Sequence, residues 1–512
     1  MPKTRRPRVL IVNCYFPETR EPLQLKNEMP MPLAPVHLAG WFAADRCDIR
    51  LHNEVSHGFL ELFRPEWLSW PDLIVFCGLT PAFDRMLHIS AYARTRNPKV
   101  ITVAGGLAIR SLRRYASRFF DYTTTGDVED IRGIIREALG PEYVAETMHP
   151  RYDLADWLGP WIGYVESSRN CNFRCSFCTL TADGRPYQVH GPEFLRQQIA
   201  ALGRRRLIHI ADNQFAGPDR QSFRDRVAVL KEMRAAGHFQ YWAGFVTDAF
   251  MWDDENLQLA QESGCISLLI GVESFDEIWL RKMNKVQNVR QSQVDLIRRC
   301  LEAGILFQYG LVYDATSRTV EEMHRELLAI ADEPAIPAPN FIFSAIPFPG
   351  TPLFHEVWDQ GLILPGTKIR DLEGSTLSLK PLDDVDTAAG FLRNGKNLRG
   401  HRAPFVRHQL RMLRRYRTHL SATQKAVSWL TLGSIMSPQA LSNTRYLLKR
   451  RRQRTHVSTT DRLDVVYTPR FPVDPQYEGY FQPTQVTNMA GHLNETIVED
   501  LLDTRYRRQA AI

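Results

Sequence analysis

The strongest constraint on the fold of this chain is a rhythm. Short apolar runs of strand length leave through glycine, threonine or another small polar residue, and helical patterns stand between them. RPRVLIVNCYFP reads as a strand and its loop, MPLAPVHLAGWFAA as a helix and CDIRLHNE as a second strand; PDLIVFCGLT and KVITVAGG follow, with a helical stretch from Pro81 to Arg94 between them. Nearly continuous apolar strands alternating with helices are buried on both faces, which predicts a doubly wound, Rossmann-like parallel α/β sheet. Ligands of such sheets lie beyond the carboxyl ends of the strands, so Thr80 and the pair Gly105-Gly106 fall on the expected binding edge. The glycine pair would let a ligand approach the backbone closely.

GPEYVAETMHPRYDLADWLGP, from Gly140 to Pro160, has turn residues at both ends and reads as a connection. It divides a first domain, 1–139, from a second that begins at Trp161. There WIGYVESS is a strand running into a cysteine-bearing loop, with a helix from Gly191 to Leu202. RRLIHIADNQFAG, FQYWAGFVTD, CISLLIGVES, ILFQYGLVYD and PNFIFSAIPFPGTPL are the later strands, and a helix from Ser222 to Ala236 lies among them. Repeated βα units at this pitch predict a partial or full parallel barrel over 161–380, with its active rim at the strand carboxyl ends. Tyr309 and Tyr313 lie near that rim and are the candidates for acid-base work on a substrate.

The loop is SSRNCNFRCSFCTL, in which Cys171, Cys175 and Cys178 form a CxxxCxxC triplet. Three thiolates at this spacing can hold three irons of a [4Fe-4S] cubane, whereas electron-carrying clusters take four protein ligands. The fourth iron is then open, and open metal positions are where substrates bind. A structural zinc site or three buried thiols are the plainer readings, but zinc wants a partner pair and there is no second CxxC. The other cysteines of the eight (Cys14, Cys47, Cys77, Cys265, Cys300) sit singly in apolar runs, as in a reducing, cytoplasmic compartment. The basic run Lys3 to Arg8 precedes an apolar stretch too short for a signal-peptide core, and no run approaches a membrane span. Over 512 residues, an apolar content of 44% supports globular cores rather than disorder.

The triplet, with Phe177 just before its third cysteine, resembles the motif of the radical S-adenosylmethionine (SAM) enzymes. The order of what surrounds it narrows the likeness. PDLIVFCGLT, KVITVAGGLA and FDYTTTGDVED ahead of it resemble the cobalamin-binding domain of one large class of those enzymes, with Gly126 and Asp127 closing the last loop. IADNQF, IGVES and PFPGTPL after it resemble that class's Asp-Asn turn, Gly-x-Glu-Ser strand end and Pro-Gly-Thr loop. The likeness covers about residues 8 to 375. It departs from the best-known corrin motif, since no DxHxxG occurs and no lower axial histidine is supplied.

The resemblance implies a [4Fe-4S] cluster on Cys171, Cys175 and Cys178, SAM chelating the open iron, and cobalamin on the first domain beside Thr80, Gly105, Gly106, Gly126 and Asp127. It implies that Phe177 packs on adenine, that Glu273 and Ser274 meet the ribose or amino-acid end of SAM, and that Asp212, Asn213, Gln308 and Tyr309 line its pocket. The activity implied is a cobalamin-dependent radical SAM C-methyltransferase, in which one SAM methylates the reduced corrin and a second yields the hydrogen-abstracting 5′-deoxyadenosyl radical. Its substrate would be a small-molecule, carrier-tethered or lipid intermediate of specialised metabolism such as an antibiotic pathway, and its electrons would come from a flavodoxin or ferredoxin. A radical cyclase, oxidase or rearrangement catalyst without methyl transfer is the rival enzyme, and an iron-sulfur redox sensor is the rival of another class.

The formal charge is +7, and much of it lies between Arg402 and Arg454. Residues 381–512 read as a mainly helical, basic region with a Pro/Tyr-rich tail. Arg411, Arg414, Arg415 and Arg417, then Lys449 to Arg452 and Arg454, form two basic runs without the interleaved aromatics that stack nucleic-acid bases, so nucleic acid is not an expected partner. A solvated helix face is the first reading and an acidic carrier protein or anionic membrane surface the second. DVVYTPRFPVDPQYEGYFQPTQ in the tail is a candidate lid or substrate loop.

Overall fold

The computed structural model describes residues 5–16, 32–374, 376–394, 399–436, 467–487 and 494–503. Its first sheet holds β1 (Arg8–Asn13), β2 (Asp48–Asn53), β3 (Leu73–Cys77), β4 (Ile101–Ala104) and β5 (Tyr122–Thr123), all parallel, in the order β2-β1-β3-β4-β5. The chain reverses direction across the sheet between β1 and β3, which is the switch point where such sheets open a crevice. Alternation on the strands serves two cores. Val9, Ile11, Val75 and Val103 face one that runs on into the second domain, and Leu10, Val12, Ile74 and Phe76 face the other.

After a hairpin of β7 (Ser168–Arg169) and β8 (Gln188–Val189), which follows β6 (Ile162–Val165), come β9 (Leu207–Ile210), β10 (Tyr241–Val246), β11 (Cys265–Glu273), β12 (Leu306–Tyr313) and β13 (Phe341–Ser344). The second sheet is β6-β9-β10-β11-β12-β13, wholly parallel and in chain order. Six strands make a partial barrel, so of the two forms expected from the βα rhythm the open one is present. The helices Arg402–Arg415 and Ala422–Met436 lie against it, giving Phe405, Met412, Tyr416 and Leu432 to its core. Arg411, Arg414, Arg415 and Arg417 are exposed, as a solvated face requires, while Lys449 to Arg452 and Arg454 lie outside the described residues.

The described tail residues pack chiefly on the side of the first sheet. Tyr467, Phe481, Val486, Ile497 and Leu501 join the core on the first sheet's second face. None of the described tail residues lines the cavity beside Gly105-Gly106 or the one ringed by the three cysteines.

Candidate active site

The cysteine loop leaves β6 and is gathered at its base. Asp212, fully buried after β9, accepts the Ser167 backbone N–H at 2.6 Å and the Ser167 and Ser168 hydroxyls at 2.6 and 2.7 Å. The β7–β8 ladder then closes residues 170–187 into a loop. Within it the Cys178 N–H reaches the Cys175 carbonyl at 3.1 Å, and the Thr181 hydroxyl donates to the same carbonyl at 2.8 Å. A short helix, Thr179–Asp183, follows the third cysteine.

All three cysteines, with Phe177, Asn213, Thr247, Gly271, Glu273, Lys285, Gln287 and Gly310, line one cavity of about 310 Å³ at the barrel's carboxyl rim. Among the described residues no three His, Cys, Asp or Glu side chains close on a single metal ion, and the cysteines instead ring an open space, as a polynuclear cluster needs. Burial raises the thiols of Cys171 and Cys178, the latter to about 11. The donor set fits a [4Fe-4S] cluster: three thiols on a tethered loop, a buried cation nearby, and an amide N–H, Gln287 Nε2, at 3.5 Å from Cys175 Sγ.

Glu273 ends β11 at φ +63°, in the left-handed region that an L-residue rarely takes, next to a register shift between Ile270 and Glu273. Its carboxylate accepts Lys285 Nζ at 2.9 Å. Burial opposes the charge on Lys285, but Glu273 and Cys175 together hold its ammonium well above the usual lysine range. Gly271 makes room for the pair, since a Cβ there would stand 2.3 Å from Glu273 Oε1 and 2.8 Å from Lys285 Nζ. Phe177 gives one face to Trp279, stacked at 6.2 Å, and stands in the cavity wall. Behind Thr247, Asp248 is buried with neither carboxylate oxygen hydrogen-bonded, and that burial lifts its pKa to about 7.

Of the residues picked from sequence, the three cysteines, Phe177, Asn213 and Glu273 come together here. Others do not. Asp212 holds the β6 exit, and Ser274 is buried with its hydroxyl bonded to Glu326 and Arg318. Gln308 lies toward the other end of β12 in a small crevice with Gln409 and Ser428. Tyr309 and Tyr313 are fully buried and point away from the cavity. The Tyr309 hydroxyl donates to the Pro337 carbonyl at 2.9 Å, and Tyr313 packs on Phe391. With Gly310 facing in, the strand's two-residue period turns both tyrosines outward. Thr247, Lys285 and Gln287 were missed. The signal for the last two was the polar cluster MNKVQN directly after an amphipathic helix.

The second cavity, about 430 Å³, opens at the switch point of the first sheet. Asn13 to Phe16 after β1, Cys77 to Leu79 after β3, Gly105-Gly106 after β4 and Gly126-Asp127 after β5 line it. Gly106 has φ +103°, and a Cβ on it would stand 2.7 Å from the Gly78 carbonyl oxygen, so the strand ends approach closely because it is glycine. The cavity's far wall belongs to the second domain, through Glu166 and Arg169. His37 meets Glu166 at 3.4 Å, and Arg169 bridges Glu166 and Glu129. Burial would raise the Glu166 carboxyl, but His37 and Arg169 outweigh it and hold the group at about 2. Thr80 stands in an adjoining crevice with Leu107, Arg110, Thr179 and Asp183, between the two sites. A largely apolar cleft with close-approaching glycine loops and a polar wall suits a flat, amide-fringed macrocycle such as a corrin.

Residues 165–327 match the family model described as the radical SAM superfamily. A protein of Synechocystis sp. named as an uncharacterized methyltransferase is 25% identical over 411 residues, 74% of each chain. The bacteriochlorophyllide d C-8(2)-methyltransferase of Chlorobaculum tepidum is 27% identical over 208 residues, 38% of this chain and 44% of its own. In fold, the cobalamin-dependent SAM radical enzyme OxsB, solved with aqua-cobalamin and SAM bound, superposes with a TM-score of 0.57 at 15% identity, over 99% of this chain and 80% of that one. The three-cysteine loop at the rim of the partial parallel barrel lies within the part of the chain that matches the radical SAM superfamily.

Proposed function

We propose that the chain is a cobalamin-dependent radical SAM C-methyltransferase, acting on a small-molecule, carrier-tethered or lipid intermediate of specialised metabolism and drawing electrons from a flavodoxin- or ferredoxin-like donor. The observation that carries the reading is the pair of cavities. One is ringed by the cluster cysteines, the other lies at the switch point of a Rossmann-like sheet, and a crevice from Thr80 to Thr179 lies between them. The methyltransferase names of the sequence relatives and the corrin in OxsB support the same reading.

Cys171, Cys175 and Cys178 would hold the cluster, and Asn213, Thr247 and Glu273 would face SAM, with Glu273 placed to accept its methionyl ammonium. Gly105, Gly106, Gly126 and Asp127 would face the corrin. When bound, the cluster with SAM supplies a hydrogen-abstracting radical and the corrin supplies a methyl group. The protein's own part is to hold these groups and the substrate carbon in reach of one another, and to exclude water and oxygen. Tyr309 and Tyr313 take no part at the reacting atoms in this reading, because the Tyr309 hydroxyl is bonded to the Pro337 carbonyl and Tyr313 packs on Phe391.

Anaerobic reconstitution with iron, sulfide and cobalamin, followed by mass spectrometry with methyl-labelled SAM, tests the proposal. Deoxyadenosine and a labelled methylated product are expected. Deoxyadenosine with no new methyl group on any product would replace methyl transfer by a cyclase, oxidase or rearrangement activity. Cys175→Ala should abolish deoxyadenosine while leaving the corrin absorption bound to protein, since the two cavities have separate walls.

A further inference from the structure

The cysteine loop is docked on one turn of chain, Met283 to Gln287, through three contacts. The Ser176 N–H donates to the Met283 carbonyl at 2.9 Å, Asn284 Nδ2 donates to the Arg174 carbonyl at 2.8 Å, and Gln287 Nε2 stands 3.5 Å from Cys175 Sγ. Asn284 takes φ +50° to make the turn. Lys285, at its centre, is 7% exposed, with Nζ 5.7 Å from the centre of the Phe177 ring and 2.9 Å from Glu273. One short segment thus fixes the loop's backbone, directs an N–H at a ligand sulfur and places a buried cation beside the cysteines.

We propose that this turn sets the reduction potential of the cluster, with Lys285 and Gln287 as positioning residues that favour its reduced form and Glu273 as the carboxylate that moderates the lysine. The inference rests on the cluster being held by Cys171, Cys175 and Cys178. A cubane on three thiolates gains a negative charge when it takes one electron from an external donor. A buried positive charge and an N–H aimed at sulfur both stabilise that added charge, in a medium that screens it poorly. Glu273 opposes them. Its pairing with Lys285 lowers the cation's effect until a cationic ligand group engages the carboxylate.

The measurement is a redox titration of the reconstituted protein without SAM, followed by electron paramagnetic resonance, with iron and sulfide content as the check on assembly. Lys285→Met should move the midpoint to more negative values by a factor of at least ten in electron uptake, about 59 mV for one electron. Gln287→Leu should move it the same way by less. Glu273→Gln should move it to more positive values, and Lys285→Arg should stay close to the parent. Opposite signs at Lys285 and Glu273 are what a merely structural role would not produce. If Lys285→Met assembles no cluster, Glu273→Gln reads the same charge with the opposite sign while keeping the cation. Loaded variants whose midpoints match the parent, or shift with one sign at both positions, overturn the proposal. Absence of any cluster in the parent protein would instead overturn the reading on which it rests.

Discussion

A carboxyl group deprived of water and of hydrogen-bond donors is costly to keep ionised, and Asp248 is in that position next to Thr247 in the wall of the barrel cavity. Its neighbours Lys285 and Glu273 act on it with opposite signs, and burial dominates, raising its pKa to about 7. A raised carboxyl pKa means that the folded protein binds the proton more tightly than the unfolded chain. Its contribution to stability is therefore full below the unfolded value, about 3.9, and is lost as pH rises through about 7. The amount is on the order of a few kcal/mol. Asp248→Asn in the metal-free protein should flatten the dependence of denaturation midpoint on pH between about 4 and 7. An unchanged slope would show that Asp248 finds a partner or water. Residue by residue, the cysteines and Glu273 picked from the sequence share one cavity, because motif and strand end coincide there. The sequence did not reveal that Tyr309 and Tyr313 turn away from the cavity, since the face of a strand depends on register, and one residue's slip exchanges the two faces.

Elements were more legible than faces. The strand starting near Arg8 and those at Leu73, Tyr241 and Cys265 lie inside the apolar runs that predicted them, because a doubly covered strand must be apolar throughout. The β7–β8 hairpin was not foreseen, since two residues on each side carry no period. Nor was the ionic seam between the domains, where Arg110 reaches Asp183 at 2.7 Å and the Gly126 carbonyl at 2.8 Å while Arg185 reaches Asp127 at 2.7 Å. Such pairs join distant parts of the chain and leave no local pattern. The Gly78 and Gly106 loops carry the next expectation. Gly106→Ala would put a Cβ against a carbonyl oxygen in a backbone region that L-residues avoid, at a cost of roughly 1–3 kcal/mol. The variant should melt at lower temperature and retain less cobalamin on desalting, read from corrin absorbance, while its iron content after reconstitution stays at the parent level. Equal corrin retention would mean that the ligand does not approach the β4 loop.

At the scale of the whole molecule, the tail returns across almost the full length of the chain to brace the domain in which the chain began. The Tyr467 hydroxyl donates to buried Asp84 at 3.2 Å, and the same carboxylate accepts the Thr484 N–H. The Arg470 N–H reaches the Tyr92 hydroxyl at 2.8 Å, and Ile369 N–H donates to the Thr484 carbonyl at 2.8 Å, so the segment is held between the helix Phe83–Arg96 and the chain beyond the barrel. Further on, Asp500 accepts the Tyr115 N–H at 2.8 Å and Asp503 pairs with Arg113. Phe481 stacks on His88 at 4.5 Å, and Tyr467 packs on Phe16, a residue of the switch-point cavity wall. Removing everything from Tyr467 onward would strip the outer side of the helix Phe83–Arg96, which itself covers the second face of the first sheet. Five buried apolar side chains leave with it, each worth about 1.5–3 kcal/mol when fully covered. The shortened chain should lose cooperative melting of its first domain and hold little corrin, because Phe16 loses its support. Tyr467→Phe, which removes one hydrogen bond to Asp84 and keeps the ring, should cost only about 1 kcal/mol and leave corrin binding intact. If the shortened chain melts as the full chain does, the tail is a passenger and the helix Phe83–Arg96 holds its place on the sheet without it.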